Sequence, residues 1–519
     1  MVKPWIEILR KHGAADAAAL PARKAALLQD GIESIADDSG NAVYVRSLQE
    51  SNGVVYAIVR DAGRRSLLAL GPAAFDSPFE APLQKVEGYH AQLIAPTAAH
   101  TAGLHQLFGF TRPLSLRDRR TTVGMGDRLG RATPGHLRAA RNYALAPVLA
   151  QQSIRELEFT GRTFADVVAD ASFAVFQEGY SGGYGADGDH LKTIEAIDNA
   201  LAVHMPMITL DLTEVMRPEV ADWPHSKINA GFAALSADFQ ARVESEYAGR
   251  NFNLDSDTVV RISAKEARLC AVMYGPALDF SQVVNDHLKQ KTGNAYDLEI
   301  SIDETTTPTL PSHHLFIASE LQRRGVTVNS LAPRFIGEFQ KAIDYIGDIA
   351  EFEKQLIVHC RIAEHFGMYK ISVHSGSDKF SVYPHVGRHS GGRLHLKTAG
   401  TSWLESLRVI AACEPAFYRT IHRKAFEYFP EARKQYHITA DIDAIAEVGS
   451  KNDVELPAFL DDPNCRQLLH ISYGGLLRDP EIRDRFFALL HTHDEMYYGY
   501  LQRHFDNHMR LLGVAAAQG

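Results

Sequence analysis

From about residue 120 to residue 475, short β-rich runs recur, and most are followed by an amphipathic stretch of helical period. No other feature restricts the fold of this 519-residue chain so strongly. The runs are TTVGMGDR (121–128), GGYGADGDH (182–190), MITLDLT (207–213), YDLEISIDE (296–304), VTVNSLAP (326–333), KISVHSGSD (370–378), LHLKTAG (394–400) and LLHISYG (468–474). Strands alternating with helices imply a parallel sheet, and eight repeats imply closure. The expected fold is therefore α/β, a (β/α)8 TIM-like barrel over residues 116–519. The stretch 217–293, with its pieces ADFQARVESEYAG and SQVVNDHLKQKTG, reads as a helical insertion on the catalytic side. The last region, from Pro480 onward, reads as closing helices. Residues 1–115 read as an α+β accessory domain. There VYVRSL (43–48), VVYAIVRD (54–61) and RSLLAL (65–70) alternate as antiparallel strands, joined by turns at Ser51-Asn52-Gly53 and Ala62-Gly63.

A net charge of −9 argues against nucleic acid as the partner, because phosphate binding needs clustered Lys and Arg. It leaves room for a small anion in a locally cationic pocket. No apolar run approaches the ~20 residues of a membrane helix, so no membrane partner is expected. The start MVKPWIEILRKHG is too polar for a signal peptide, which makes a cytoplasmic protein the default expectation. A homo-oligomer is compatible with the composition. Cys270, Cys360, Cys413 and Cys465 lack CxxC spacing and read as reduced, buried thiols.

In such barrels the functional groups stand at the C-terminal strand ends. Here those ends carry Asp127, Arg128, Asp189, His190, Asp211, Asp303, Glu304, Arg334, His374, Ser375, Asp378, Lys379, Lys397, Thr398, His470 and Tyr473. His190, His374 and His470 end three of the runs. Sequence-distant histidines converging on one mouth are the usual way to hold a divalent cation, and imidazole suits zinc, manganese, nickel or cobalt. Asp189 and Glu304, on separate strand ends, form the best acid/base pair. Asp127, Arg128, Lys192, Arg334, Ser375, Asp378, Lys379, Lys397 and Tyr473 are the expected substrate contacts. Of these, Arg128 and Lys379 are placed at a substrate carboxylate. GMGDRLG (124–130) is glycine-rich but fits neither GxGxxG nor GxxxxGK[ST], which argues against a nucleotide. His313 and His314 would support the site from behind. His504 and His508, spaced i,i+4 without a partner motif, read as surface positions.

Longer blocks add a resemblance. GDRLGRATPGHLRA (126–139), GGYGADGDHLKT (182–193), SIDETTTPTLPSHHLFIASEL (301–321), SLAPRFIGEFQKAIDYIGD (330–348), KISVHSGSDKFSVYP (370–384), LHLKTAGTSWLE (394–405) and LLHISYGGLL (468–477) resemble the tagaturonate epimerase family. The resemblance implies a divalent-metal enzyme that interconverts D-tagaturonate and D-fructuronate, with tagatose and fructose as further substrates of some members. It implies a metal shell drawn from His190, His374 and His470, with Asp189 and Glu304 as proton acceptor and donor.

Counting the ketone as C2, the two uronates differ at C4, whose proton the carbonyl does not acidify. Retro-aldol cleavage of C3–C4 is therefore expected, through an enediolate stabilised by the metal, rotation of the aldehyde fragment and re-formation of the bond. A class II-type aldolase would instead release fragments, a ketose/aldose isomerase would make an aldose, and a metal-dependent hydrolase would cleave esters or amides. A non-catalytic sugar-acid binding protein would need no opposed carboxylates.

Overall fold

The computed structural model describes residues 2–61, 64–303, 305 and 307–517. Eight parallel strands close into a barrel: β1 (Thr121–Met125), β2 (Ala146–Ser153), β3 (Gly185–Leu191), β4 (Met207–Asp211), β5 (Asp297–Ile302), β6 (Ser330–Pro333), β7 (Lys370–Val373) and β8 (Leu394–Thr398). Closure is made by β8 on β1, with Leu394 opposite Thr121 and Thr398 opposite Met125.

The barrel is the expected one, but one strand is not. The run 468–474 is helical, split between Pro463–Ile471 and Tyr473–Arg478. Asp462 caps the first of these helices by accepting from Cys465 N, and Pro463 occupies its first turn, a start signal that outweighs the strand-like apolar run. The strand in its place is β2, whose sequence APVLAQQS runs without a break into the helix Ile154–Thr160. A fully buried strand shows no alternation, so period alone does not separate it from a buried helix.

Strands β3 and β5 carry polar residues on every second position: Asp187 and Asp189 on β3, Asp297, Glu299 and Ser301 on β5. Side chains two apart share a strand face. Asp187, Asp189 and Glu299 meet one lysine, Lys397 of β8, inside the barrel. The apolar residues between them, such as Leu298 and Ile300, pack outward into the main core under the surrounding helices.

Three additions surround the barrel. The N-terminal region forms a seven-stranded antiparallel sheet. One face packs on helices Lys3–Lys11 and Leu20–Gln29 through Trp5, Leu9 and Leu27. The other face meets the barrel's own helix Phe164–Glu178 through Phe173 and Phe176. The segment 217–293 is not helical throughout. A two-stranded ribbon (Arg250–Asn253 with Val259–Ile262) separates two short helices from the long helix Ala264–Thr292. Asp255 closes that ribbon by accepting from the backbone of Asp257 and Thr258, a local turn that competes with helix. After β8, helices from Thr401 to Leu511 build a second core around Trp403, Tyr418, Leu468 and Phe486. Among the described residues no helix is long and apolar enough to cross a membrane.

Candidate active site

The C-terminal ends of the strands open into a cavity of about 520 Å³. At its floor, ligand atoms of His190, Asp303 and His374 lie within 4.8 Å of one another. The two imidazole rings are tilted, with centroids 5.1 Å apart.

Each histidine is held by a carboxylate behind it. His190 Nδ1 is 2.6 Å from Asp189 Oδ1, and His374 Nε2 is 2.7 Å from Glu299 Oε1. Such partners fix the tautomer and orientation of an imidazole and raise its basicity as a ligand. His190, next to last in β3, and Ser375, just after β7, both adopt positive φ, 57° and 47°, so the backbone bends sharply where each meets the cavity.

Lys397 Nζ joins the supporting carboxylates, at 2.7 Å from Asp189, 3.0 Å from Asp187 and 3.1 Å from Glu299. Thr209 Oγ1 donates to Asp187, and Ser330 Oγ donates to Glu299 at 2.6 Å. Burial penalises every one of these charges, but the mutual pairing prevails for most. Asp189 and Glu299 stay well below the usual carboxylate range, and Lys397 well above the usual amine value. Asp187 is the exception: burial, with Asp189 and Glu299 adding to it against Lys397, raises it to about 6. Burial likewise opposes the charge on His374, yet Asp303 and Glu299 outweigh it and hold the ring at about 10.

These residues fit a divalent cation. His374 Nδ1 sits 3.1 Å from Asp303 Oδ1, buried and without an aligned hydrogen bond. Ligand bonds of ~2.0–2.2 Å place neighbouring donors on one ion about 3 Å apart, so the pair has the spacing of two ligands aimed at a common point. Three carboxylates around Lys397 (Asp187, Asp189, Glu299), with Asp303 beside His374, leave a surplus of negative charge that draws a cation.

The expected residues divide into those the cavity gathers and those it does not. His190, His374, Asp189, Lys192, Ser375, Lys397 and Arg128 line it. Ser375 Oγ accepts from Lys341 Nζ at 2.9 Å, and Lys192 pairs with Glu214 at 3.3 Å. His470 also lines it, but from a helix instead of a strand end, and not within the histidine–aspartate cluster. Its Nε2 lies 3.4 Å from the Arg128 guanidinium, and burial with that neighbour depresses its basicity well below the usual value. Asp303 stands with the two histidines instead. Glu304 falls outside the described residues.

Five expected contacts do other work. Asp127 is buried and accepts from the backbone of Leu129, Ala132 and Thr133, which knots its own loop. Asp378 pairs with Arg466 at 2.8 Å, and Lys379 Nζ donates to the carbonyls of Gln340, Ile343 and Ser377. Tyr473 is buried under the Arg128 guanidinium, 4.4 Å from its ring centroid. Arg334 faces an adjoining cleft with Arg155, Lys341 and His374. His504 and His508 are not surface residues: both contact Asp378 inside the C-terminal layer. His313 and His314 are buried against Tyr274 and against His359 and Tyr369.

Sequence reasoning passed over Glu299 and Asp187, and set Asp303 aside in favour of Glu304. The signal was present in the polar alternation of β3 and β5, which marks an inward polar face. Gln151 lines the cavity from β2, Arg155 from the helix that follows it and Lys341 from a loop, where no strand-end rule reached them.

His470 reaches the cavity because Gly400, after β8, leaves room for its ring: a Cβ there would strike the imidazole. Gly400→Ala should cost about 1–3 kcal/mol through this overpacking, measured as a lower denaturant midpoint with unchanged slope.

The model of the tagaturonate epimerase family matches residues 44–512. The tagaturonate/fructuronate epimerase of Thermotoga maritima is 38% identical over 473 residues, covering 91% of this chain and 97% of that protein. The native crystal structure of the fructuronate-tagaturonate epimerase UxaE from Cohnella laeviribosi is 40% identical, with a TM-score of 0.87 over 95% of this chain and all of its own. A glycerol complex of the same enzyme is 41% identical with the same TM-score, over 95% of this chain and 99% of its own. A match of this length in sequence and fold establishes that the chain belongs to the tagaturonate epimerase family.

Proposed function

We propose that this protein is a divalent-metal epimerase that interconverts D-tagaturonate and D-fructuronate by retro-aldol chemistry. The observation that carries the reading is the His190–Asp303–His374 cluster at the mouth of a barrel aligned almost end to end with such epimerases. His190, His374 and Asp303 would hold the ion, which when bound supplies Lewis acidity to the ketone and the adjacent hydroxyl.

The remaining groups position substrate and move protons. Arg128, Arg155, Lys192 and Lys341 put four cationic side chains in the cavity wall, among them Arg128 beside Glu156 and Lys192 beside Glu214, and these supply donors for a uronate carboxylate that a neutral ketose would not need. Asp189 Oδ1 is committed to His190 and Lys397, and its low basicity suits an orienting carboxylate. The C4 hydroxyl proton is then handled by Glu304, the residue after Asp303. Cleavage of C3–C4 gives an enediolate and an aldehyde; the aldehyde turns and the bond re-forms on its other face. The C4 hydrogen never leaves.

Two results test this division of labour. Asp189→Asn should weaken metal affinity by ~10–100-fold, as loss of a ligand's carboxylate partner does, while Glu304→Gln should retain the metal and lose kcat. Equal effects of the two variants on metal affinity would remove the distinction. Turnover in deuterium oxide should give product without deuterium at C4 by NMR; deuterium there means direct proton abstraction and overturns the retro-aldol step.

A further inference from the structure

A second cavity, of about 490 Å³, lies where the N-terminal sheet, the loop after β1 and the C-terminal helices meet. Its walls carry Arg65, Arg128, Arg131, Arg162 and Arg483, against Asp166 and Asp170. Arg128 stands in the walls of both cavities, paired to Glu156. Asp166 is turned back on Thr163, whose backbone and hydroxyl it accepts from, as a helix cap. Asp170 pairs with Arg162.

That leaves Arg131 and Arg483. Among the described residues neither has an ion pair; Arg483 is exposed at the cavity edge and its side chain makes one long bond, 3.5 Å to the Thr160 carbonyl. Arg65 is already engaged, paired with Asp494 at 3.1 Å, donating to the Tyr498 hydroxyl and lying over the Tyr44 and Tyr498 rings, with only its Nε left without a partner. Burial and the neighbouring Arg65 lower the Arg131 guanidinium from its ordinary value, against Asp170 and Asp127, which favour its charge without pairing to it. Burial raises Asp170 to about 6 despite Arg162, and that guanidinium already meets its charge.

We infer that this cavity binds the phosphoryl group of a small phosphorylated metabolite. One guanidinium satisfies a carboxylate, whereas two guanidinia without an ion pair, Arg131 and Arg483, match the charge of about −1.5 to −2 of a phosphoryl group and its three oxygens. The volume falls within the ~300–1,000 Å³ of small-molecule sites and exceeds the needs of a bare ion. The loop GDRLGRA (126–132) overlaps the glycine-rich GMGDRLG (124–130), which fits no nucleotide motif. Gly130 has φ of 67°, and a Cβ there would strike the Asp170 carboxylate, so glycine lets the loop place Arg128 and Arg131 on either side of itself. This inference does not depend on the epimerase reading.

The test is calorimetric titration of the full chain with inorganic phosphate, glucose 6-phosphate and glucuronate at constant ionic strength. It is repeated on Arg131→Gln and Arg483→Gln, each checked for folding by thermal unfolding. Both phosphates should bind, glucose 6-phosphate more tightly, and each variant should weaken them about tenfold or more. Arg131→Lys, which keeps the charge if Arg131→Gln misfolds, should retain part of the binding. No phosphate binding to the unsubstituted chain, undiminished binding in both glutamine variants, or binding of glucuronate alone would each overturn the assignment.

Discussion

His374→Ala is expected to abolish metal binding and to lower kcat/KM for tagaturonate by about a thousandfold or more. The ring is held on one side by Glu299 and faces Asp303 on the other, so no neighbouring group takes its place. Lewis-acid stabilisation of developing charge is worth several kcal/mol, and each ~1.4 kcal/mol is tenfold in rate. The check is metal content after gel filtration alongside product analysis. Near-normal metal content and turnover would place the ion elsewhere. His470→Ala serves as the contrast: it removes a cavity wall next to Arg128 and should leave the metal in place.

Lys397→Met should produce the largest loss of stability, about 3–5 kcal/mol, by leaving Asp187, Asp189 and Glu299 buried together without their common cation. Lys397 lies on β8, whose pairing with β1 closes the barrel, so the loss should appear in global unfolding by denaturant. Activity should fall as well, because Asp189 and Glu299 hold the two histidines. Adding Asp187→Asn removes one of the stranded charges and should recover part of the stability; strictly additive losses in the double variant would mean the lysine acts through packing alone.

Seven of the eight barrel strands are legible in the chain because their turns, lengths and following helices repeat. The exchange of 468–474 for β2 shows where that reading ends. LLHISYG and APVLAQQS are both buried apolar runs, and burial on all sides erases the period that tells strand from helix. Strand-end counting led directly to His190 and His374. It also selected Asp127, Asp378 and Lys379, whose polar atoms turn back onto their own loops and neighbouring helices. Sequence position decides that a residue sits near a mouth, whereas side-chain direction depends on what the loop must satisfy nearby.

The sequence by itself determined the alternating barrel, the acidic pairs two apart on β3 and β5, and the histidines that end β3 and β7. Those follow from local periods of two and 3.6 residues, which need no knowledge of distant segments. Only the tertiary structure decided that Lys397 from the eighth strand neutralises acids from the third and fifth. It alone decided that Asp303 joins the histidines, and that Arg131 and Arg483, 352 positions apart in the chain, face one cavity. Charge pairing across a closed barrel depends on which strands become neighbours through space, and no local pattern carries that information.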